Sequence, residues 1–280
     1  MEKKKIKRGL VVEGGGMRGA HSCGALMALV EKGIKDFDVI SASSAGACTS
    51  AFVVSRQFDL FPVVWTNYLH DGRFINLKKL VTRKSVMNLD FLVDEVFQTL
   101  APLDLEAIRK SPTNFYIAAT DCNTGKTVYF NNHTGPLFEA LKASAAMPIA
   151  YRGPVMIHGQ PYVDGGISAP IPIQKAIDEG CDEVYVILTR PKGYRKKPNF
   201  LNLIPRIYQK KYPKLAETLS RRHLIYNEAV ERIENQDYPA KLIVIQPSEK
   251  LPVNRLSTNL EKIRAAIAQG RQDSLLALSR

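Results

Sequence analysis

The chain has 280 residues, 45% of them hydrophobic, and a formal net charge of +12 at pH 7. That length allows one large domain or two small ones with a full core. No apolar run reaches the roughly 18 residues a bilayer span needs, which excludes a membrane-spanning helix on composition alone.

The basic start, MEKKKIKR, is followed by a run that breaks at Glu13 and three glycines, so it does not read as a secretory signal. Four scattered cysteines, Cys23, Cys48, Cys122 and Cys181, have no paired metal spacing. They read as small buried hydrophobes in a reducing compartment, and the expectation is a cytoplasmic protein. The positive charge is concentrated. Between residues 190 and 222 there are eleven Lys or Arg against one acid, Glu217, a local excess of +10. Such a block favours a polyanion, either an anionic membrane surface or nucleic acid.

In chain order, residues 8–13 read as a buried first strand and residues 14–19 as a glycine loop. Leu26, Leu29 and Val30 give residues 20–32 a helical period, and Gly33 stops it. A short β-rich run at 38–41 ends in small residues around Ser44, and an apolar helical run at 45–54 follows at once. Residues 58–69, 88–100 and 104–110 are predicted helices, with a polar, basic loop at 71–86 between the first two. Residues 114–120 alternate as a strand, turn at 123–126 and pair back through 127–131. A helix at 136–146, a hairpin from 154 to 164, a helix at 170–180 and a buried strand at 183–188 follow. Beyond the basic segment come a long helix within 213–236, a last strand at 241–246, a helix at 258–269 stopped by Gly270, and an amphipathic end. Strands alternating with helices predict an α/β/α sandwich on a mainly parallel sheet. The predicted division is a core over 8–190 and a C-terminal part over 191–280 packed on it.

Two turns carry the chemistry. Residues 42–46 read ASSAG. A strand, a tight turn of small residues and a helix are the setting of a nucleophile elbow, where Ala42 and Gly46 flank Ser44. The plainer reading is a helix cap by Ser43 or Ser44. Residues 14–19, GGGMRG, fit G-x-G-x-x-G between a strand and a helix. That loop suits a dinucleotide site, an oxyanion hole or a tight turn. A dinucleotide site wants an acid at the end of the second strand, and here Asp38 lies at its start. In a parallel sheet both turns emerge on one edge, which sets Gly14, Gly15, Gly16 and Gly19 beside Ser44. Arg18 is the loop's only charge and reads as electrostatic support. A serine nucleophile needs a base. None of His21, His70, His133, His158 and His223 has a suggestive setting; Asp164, ending a strand before two glycines, is the stronger candidate.

These pieces in this order resemble the patatin-like phospholipases, in particular the bacterial cytoplasmic members. The stretches that carry the resemblance are EGGGMRG at 13–19, ASSAG at 42–46, ASAAMP at 143–148 and DGG at 164–166, with ATDCNTG at 119–125 alongside. Two positions depart from the family pattern: Glu13 stands where Asp is common, and Ala42 replaces the first glycine of the elbow. The resemblance implies a three-layer α/β/α fold and hydrolysis of acyl esters in lipids without a metal or other cofactor. It assigns Ser44 as nucleophile, Asp164 as base, and Gly15 and Gly16, with Arg18 nearby, as the oxyanion hole. The expected substrate is a lipid or other acyl ester, with phospholipase A or lysophospholipase character. The 190–222 segment is then expected to touch an anionic membrane rather than nucleic acid. The alternative is a catalytically weak scaffold of the same fold that binds a protein or a polyanion.

Overall fold

The computed structural model describes residues 6–80, 85–198 and 203–279. Part of the predicted loop at 71–86 and the centre of the basic segment, residues 81–84 and 199–202, lie outside them. Among the described residues the strands are β1 (Arg8–Val12), β2 (Val39–Ser43), β3 (Asn114–Asp121), β4 (Thr127–Asn131), β5 (Val155–Ile157), β6 (Gln160–Asp164), β7 (Glu183–Ile187) and β8 (Lys241–Ile245). They form one mixed sheet in the order β5-β6-β3-β2-β1-β7-β8, with β4 also paired to β3. β3, β2, β1, β7 and β8 run parallel; β4, β5 and β6 join antiparallel. The architecture is the three-layer α/β sandwich expected from the alternation of elements.

Strand residues alternate between two cores, as the period of two requires. On β1, Leu10 and Val12 face one core, which they share with Ile40 and Ala42 of β2. Helices α1 (Gly19–Glu31), α2 (Ala45–Val54), α5 (Leu137–Ala145) and α9 (Leu260–Leu278) cover that face. Val11 and Val39 face the other core with Val184 and Val186 of β7. Helices α6 (Ile173–Asp178) and α8 (Pro213–Glu234) close it through Ile173, Tyr226, Val230 and Ile233. Two shorter helices, α3 (Leu60–Val63) and α4 (Leu105–Lys110), flank the first core, and α7 (Leu203–Gln209) precedes α8.

Two departures from the sequence reading are informative. The predicted helices at 58–69 and 88–100 contain π-helical stretches, Val64–Tyr68 and Phe91–Leu100. Such widened turns are rare and recur at functional sites. The second is Gly270, which does not stop a helix: α9 runs through it to Leu278. A Cβ at Gly270 would overlap the His21 carbonyl of α1, and one at Gly24 would overlap the Ile267 carbonyl of α9. Gly270 is there for close approach of two helices, so its helix-weakening effect is outweighed by packing. At the same crossing, His21 Nε2 lies 3.1 Å from Asp273 Oδ2, both buried.

Candidate active site

The elbow forms where β2 ends. Ser44 has φ +55° and ψ −131°, a left-handed conformation that costs a non-glycine residue energy. The turn is held from outside. Ser44 N–H donates to Ser144 Oγ at 2.8 Å, and Ser144 Oγ donates to the Ala118 carbonyl at 2.6 Å. Gly46 lies under the carbonyls of Val12 and Glu13, where a Cβ would approach to 2.7 Å. Ala42 needs no such clearance: its methyl is buried in the first core.

Asp164 reaches Ser44 because of how β3 shares an edge. β2 pairs with β3 up to Ser43 opposite Ala118. β6 takes the same edge from the next position, with Asp164 opposite Ala119. Ser44 Oγ donates to Asp164 Oδ2 at 2.9 Å, and Gly166 N–H donates to Asp164 Oδ1 at 2.7 Å. Asp164 is 3% exposed. Burial raises its pKa above the ordinary carboxylate value, against the opposing pull of Arg222, the Ser44 and Gly166 hydrogen bonds, and Arg255.

The glycine loop stands beside this pair. A Cβ on Gly14 would lie 2.9 Å from the Ser44 Cβ. Gly14 N–H donates to the Pro170 carbonyl at 3.2 Å, and Gly19 N–H bonds back to the carbonyls of Gly16 and Met17. Among the described residues, the N–H groups of Gly15 and Gly16 make no hydrogen bond. Gly14, Gly15 and Gly16 line a small cavity with Ser44, Asp164, Gly166, Arg222 and Arg255. The Arg18 side chain does not line it; Arg18 faces a neighbouring basin instead. Glu13 is buried and its Oε2 accepts the Thr189 N–H at 2.6 Å, tying the loop to the end of β7.

A second cavity runs from Ser44 into the apolar layer. Phe52, Phe61, Trp65, Leu92 and Phe97 are among its walls, so both π-helical stretches shape it. Phe52 and Phe97 meet edge to face at 5.5 Å, and Trp65 Nε1 donates to Thr49 Oγ1 at 3.2 Å. A hydroxyl that donates to a buried carboxylate, beside unpaired backbone N–H groups and an apolar slot, has the parts that acyl transfer needs. Among the described residues no group of three or more His, Cys, Asp or Glu converges to hold a metal ion.

The profile of the patatin-like phospholipase family matches residues 10–177, which include Ser44, Asp164 and the glycine loop. The chain belongs to the patatin-like phospholipase family. A second profile, a domain of unknown function, DUF6363, matches residues 212–280. The uncharacterized protein YjjU of Escherichia coli (strain K12) is 26% identical over 266 residues, 94% of this chain and 74% of YjjU. Among solved structures, VipD from Legionella pneumophila superposes with a TM-score of 0.53 at 14% identity, over 98% of this chain and 67% of VipD. The type III effector protein ExoU gives 0.45 at 17% identity, over 98% of this chain and 53% of ExoU. The VipD match supports the fold; membership of the family supports a lipid hydrolase.

Sequence reasoning brought Ser44, Asp164, Gly15 and Gly16 to one place. It missed Ser144, Arg222 and Arg255. Ser144 lies within the 143–148 stretch already singled out, whereas Arg222 and Arg255 have no local mark.

Proposed function

We propose that the protein is a serine acyl-ester hydrolase of phospholipase A or lysophospholipase type, with Ser44 and Asp164 as its dyad. The observation that carries this reading is the 2.9 Å Ser44–Asp164 hydrogen bond at the mouth of an apolar cavity. The acyl chain enters the cavity and its ester carbonyl meets Ser44. Ser44 Oγ adds to the carbonyl carbon as Asp164 takes its proton. The oxyanion that forms is stabilised by the Gly15 and Gly16 N–H groups; one such donor is typically worth about 2.7–4 kcal/mol. The ester C–O bond then breaks, Asp164 returns the proton to the leaving alcohol, and Ser44 carries the acyl group. Water adds in the second half, giving its proton to Asp164, and the fatty acid leaves as Ser44 is reprotonated. An aspartate with a pKa near 4 is a weak base for such a step; the raised pKa of Asp164 makes it a better one.

The test is hydrolysis of short and long p-nitrophenyl acyl esters by wild type, Ser44→Ala and Asp164→Asn side by side. Activity in the wild type alone, with fluorophosphonate labelling at Ser44, is the expected result. Three equal rates and no label would overturn the dyad and return the scaffold reading.

The exposed cations Arg206, Lys210, Lys211, Lys214 and Arg221 support a peripheral contact with anionic bilayers. Binding to anionic vesicles that weakens steeply with salt is expected, and salt-insensitive binding would refute it. Four buried free cysteines support a reducing, cytoplasmic setting for that contact.

A further inference from the structure

Arg18 is 4% exposed, yet its Nε has no hydrogen-bond partner among the described residues. It faces an open basin of about 500 Å³. Arg190, Lys196, Lys197, Arg222 and Arg255 line the same basin, and among the described residues no Asp or Glu does. Two buried acids outside the lining, Glu13 and Asp164, attract these cations and offset part of the excess: Glu13 acts on Arg18, Lys196 and Arg222, and Asp164 on Arg222.

The cations are held in place. Arg195 pairs with Glu234, and Lys196 exchanges backbone hydrogen bonds with the Asn227 side chain, at 2.7 and 3.0 Å. Lys196 Nζ stands 4.2 Å from the centre of the Tyr226 ring, and the Arg190 guanidinium 4.4 Å from that of Tyr194. Arg222 Nε donates to the Gly166 carbonyl at 2.7 Å. A turn built on Asn254 and Ser257 presents Arg255. Crowding like charges in this way is unfavourable. Burial and neighbouring cations pull the Arg18 and Arg222 guanidiniums down to about 10 and lower Lys196 as well. A bound dianion removes that repulsion, and arginine forks suit phosphate oxygens in particular.

The basin adjoins the reactive pair. Arg222 and Arg255 line both it and the small cavity that holds Ser44 and Asp164. The apolar cavity leaves Ser44 in another direction. A glycerophospholipid with its ester at Ser44 and its acyl chain in that cavity therefore presents its headgroup to the cations. We propose that the basin holds the substrate's phosphate and selects lipids with a phosphomonoester headgroup over those whose phosphate carries an ammonium group. A choline or ethanolamine headgroup would add a positive charge beside Arg18, Arg190, Lys197, Arg222 and Arg255. The proposal rests on the acyl-hydrolase reading for its orientation of the lipid.

The test uses soluble dihexanoyl phosphatidic acid and dihexanoyl phosphatidylcholine, which share their acyl chains. Calorimetric titration of the full-length Ser44→Ala protein measures binding without turnover, and fatty-acid release by the wild type is measured separately. The phosphomonoester lipid is expected to bind about tenfold tighter or more, the effect of one or two charge-assisted hydrogen bonds. Lys196→Gln and the exposed Lys197→Gln, each added to Ser44→Ala, are expected to shrink that ratio. Equal affinity for the two lipids, or a ratio unchanged in both variants, overturns the proposal. Glycerol 3-phosphate and inorganic phosphate are the competing probes. If either binds as tightly as the lipid, the basin is a free-phosphate site and the headgroup assignment is wrong. A clear binding preference without fatty-acid release upholds the basin and refutes the hydrolase reading instead.

Discussion

Ser43 and Asp164 occupy consecutive places along one edge of β3, opposite Ala118 and Ala119. β2 arrives parallel and stops; β6 arrives antiparallel and continues the same edge. The carboxylate that meets Ser44 is thus placed by backbone pairing, and the side chain has little left to search. Sheet register decides whether the two groups meet, because a slip of one residue turns Asp164 to the other face.

Ser144 is the positioning residue for the elbow. Its hydroxyl accepts the Ser44 N–H while donating to the Ala118 carbonyl. Ser144→Ala leaves a buried N–H unpaired, which typically costs about 1–3 kcal/mol. The strained Ser44 backbone takes up that loss by relaxing. We expect kcat for ester hydrolysis to fall roughly tenfold with KM little changed, because the acyl cavity is untouched. Fluorophosphonate labelling of Ser44 is expected to slow in parallel. A lower Tm with unchanged kcat would leave Ser144 as a packing residue only.

In the proposed dyad, Asp164 is expected to set the acid limb of the pH profile. As the proposed base its carboxyl must be ionised to take a proton from Ser44, so kcat/KM is expected to fall as pH drops through its folded-state pKa. Burial holds that pKa above the usual carboxylate range, while Arg222 pulls it back. Arg222→Met removes the pull, and the acid limb is expected to move to higher pH. The kcat/KM profiles of the two proteins check this directly. A limb that moves to lower pH, or stays in place, would place Arg222 outside the electrostatics of the pair.

The same burial has a consequence for stability. A carboxyl whose folded-state pKa is raised binds its proton more tightly folded than unfolded. Stability therefore declines as pH rises from the unfolded-state pKa through the folded-state one. The upward direction already includes the attraction of Arg222 and Arg255. Asp164→Asn, neutral and of the same shape, is expected to raise Tm at pH 7–8 while abolishing hydrolysis. The gain shrinks as pH falls through the folded-state pKa. A Tm that falls at pH 8 would show that the pairing with Arg222 outweighs the cost of burial.

Much of this site was legible because its signals are local. Small residues around Ser44 and the pair Gly165-Gly166 after Asp164 mark tight turns, and turn chemistry is short-range. Arg222 was not legible. It sits in a run of like charges, and nothing in that run tells which cations turn inward and which stay in solvent. Arg255 lies in a loop far along the chain and gains its place only through the tertiary fold, where its carbonyl accepts the Met17 N–H. The apolar cavity was also hidden, because its walls at Trp65 and Phe97 depend on π-helical turns that share the apolar spacing of ordinary helices. Gly270 misled for the opposite reason: its local effect, to weaken a helix, is real but smaller than the packing it permits.

That comparison of magnitudes can be measured. Replacing a mid-helix glycine by alanine gains about 1 kcal/mol in helix propensity. At Gly270 the new Cβ overlaps the His21 backbone carbonyl, which no rotamer change relieves. α9 must shift away from α1, disturbing the buried His21–Asp273 contact and the Arg271–Glu31 ion pair. Overpacking of this kind costs about 1–3 kcal/mol and more when backbone is displaced. Gly270→Ala is therefore expected to lower Tm by about 2–4 °C in thermal unfolding. The sign separates the two effects: a raised Tm would mean that helix propensity wins and that α1 and α9 tolerate a wider crossing.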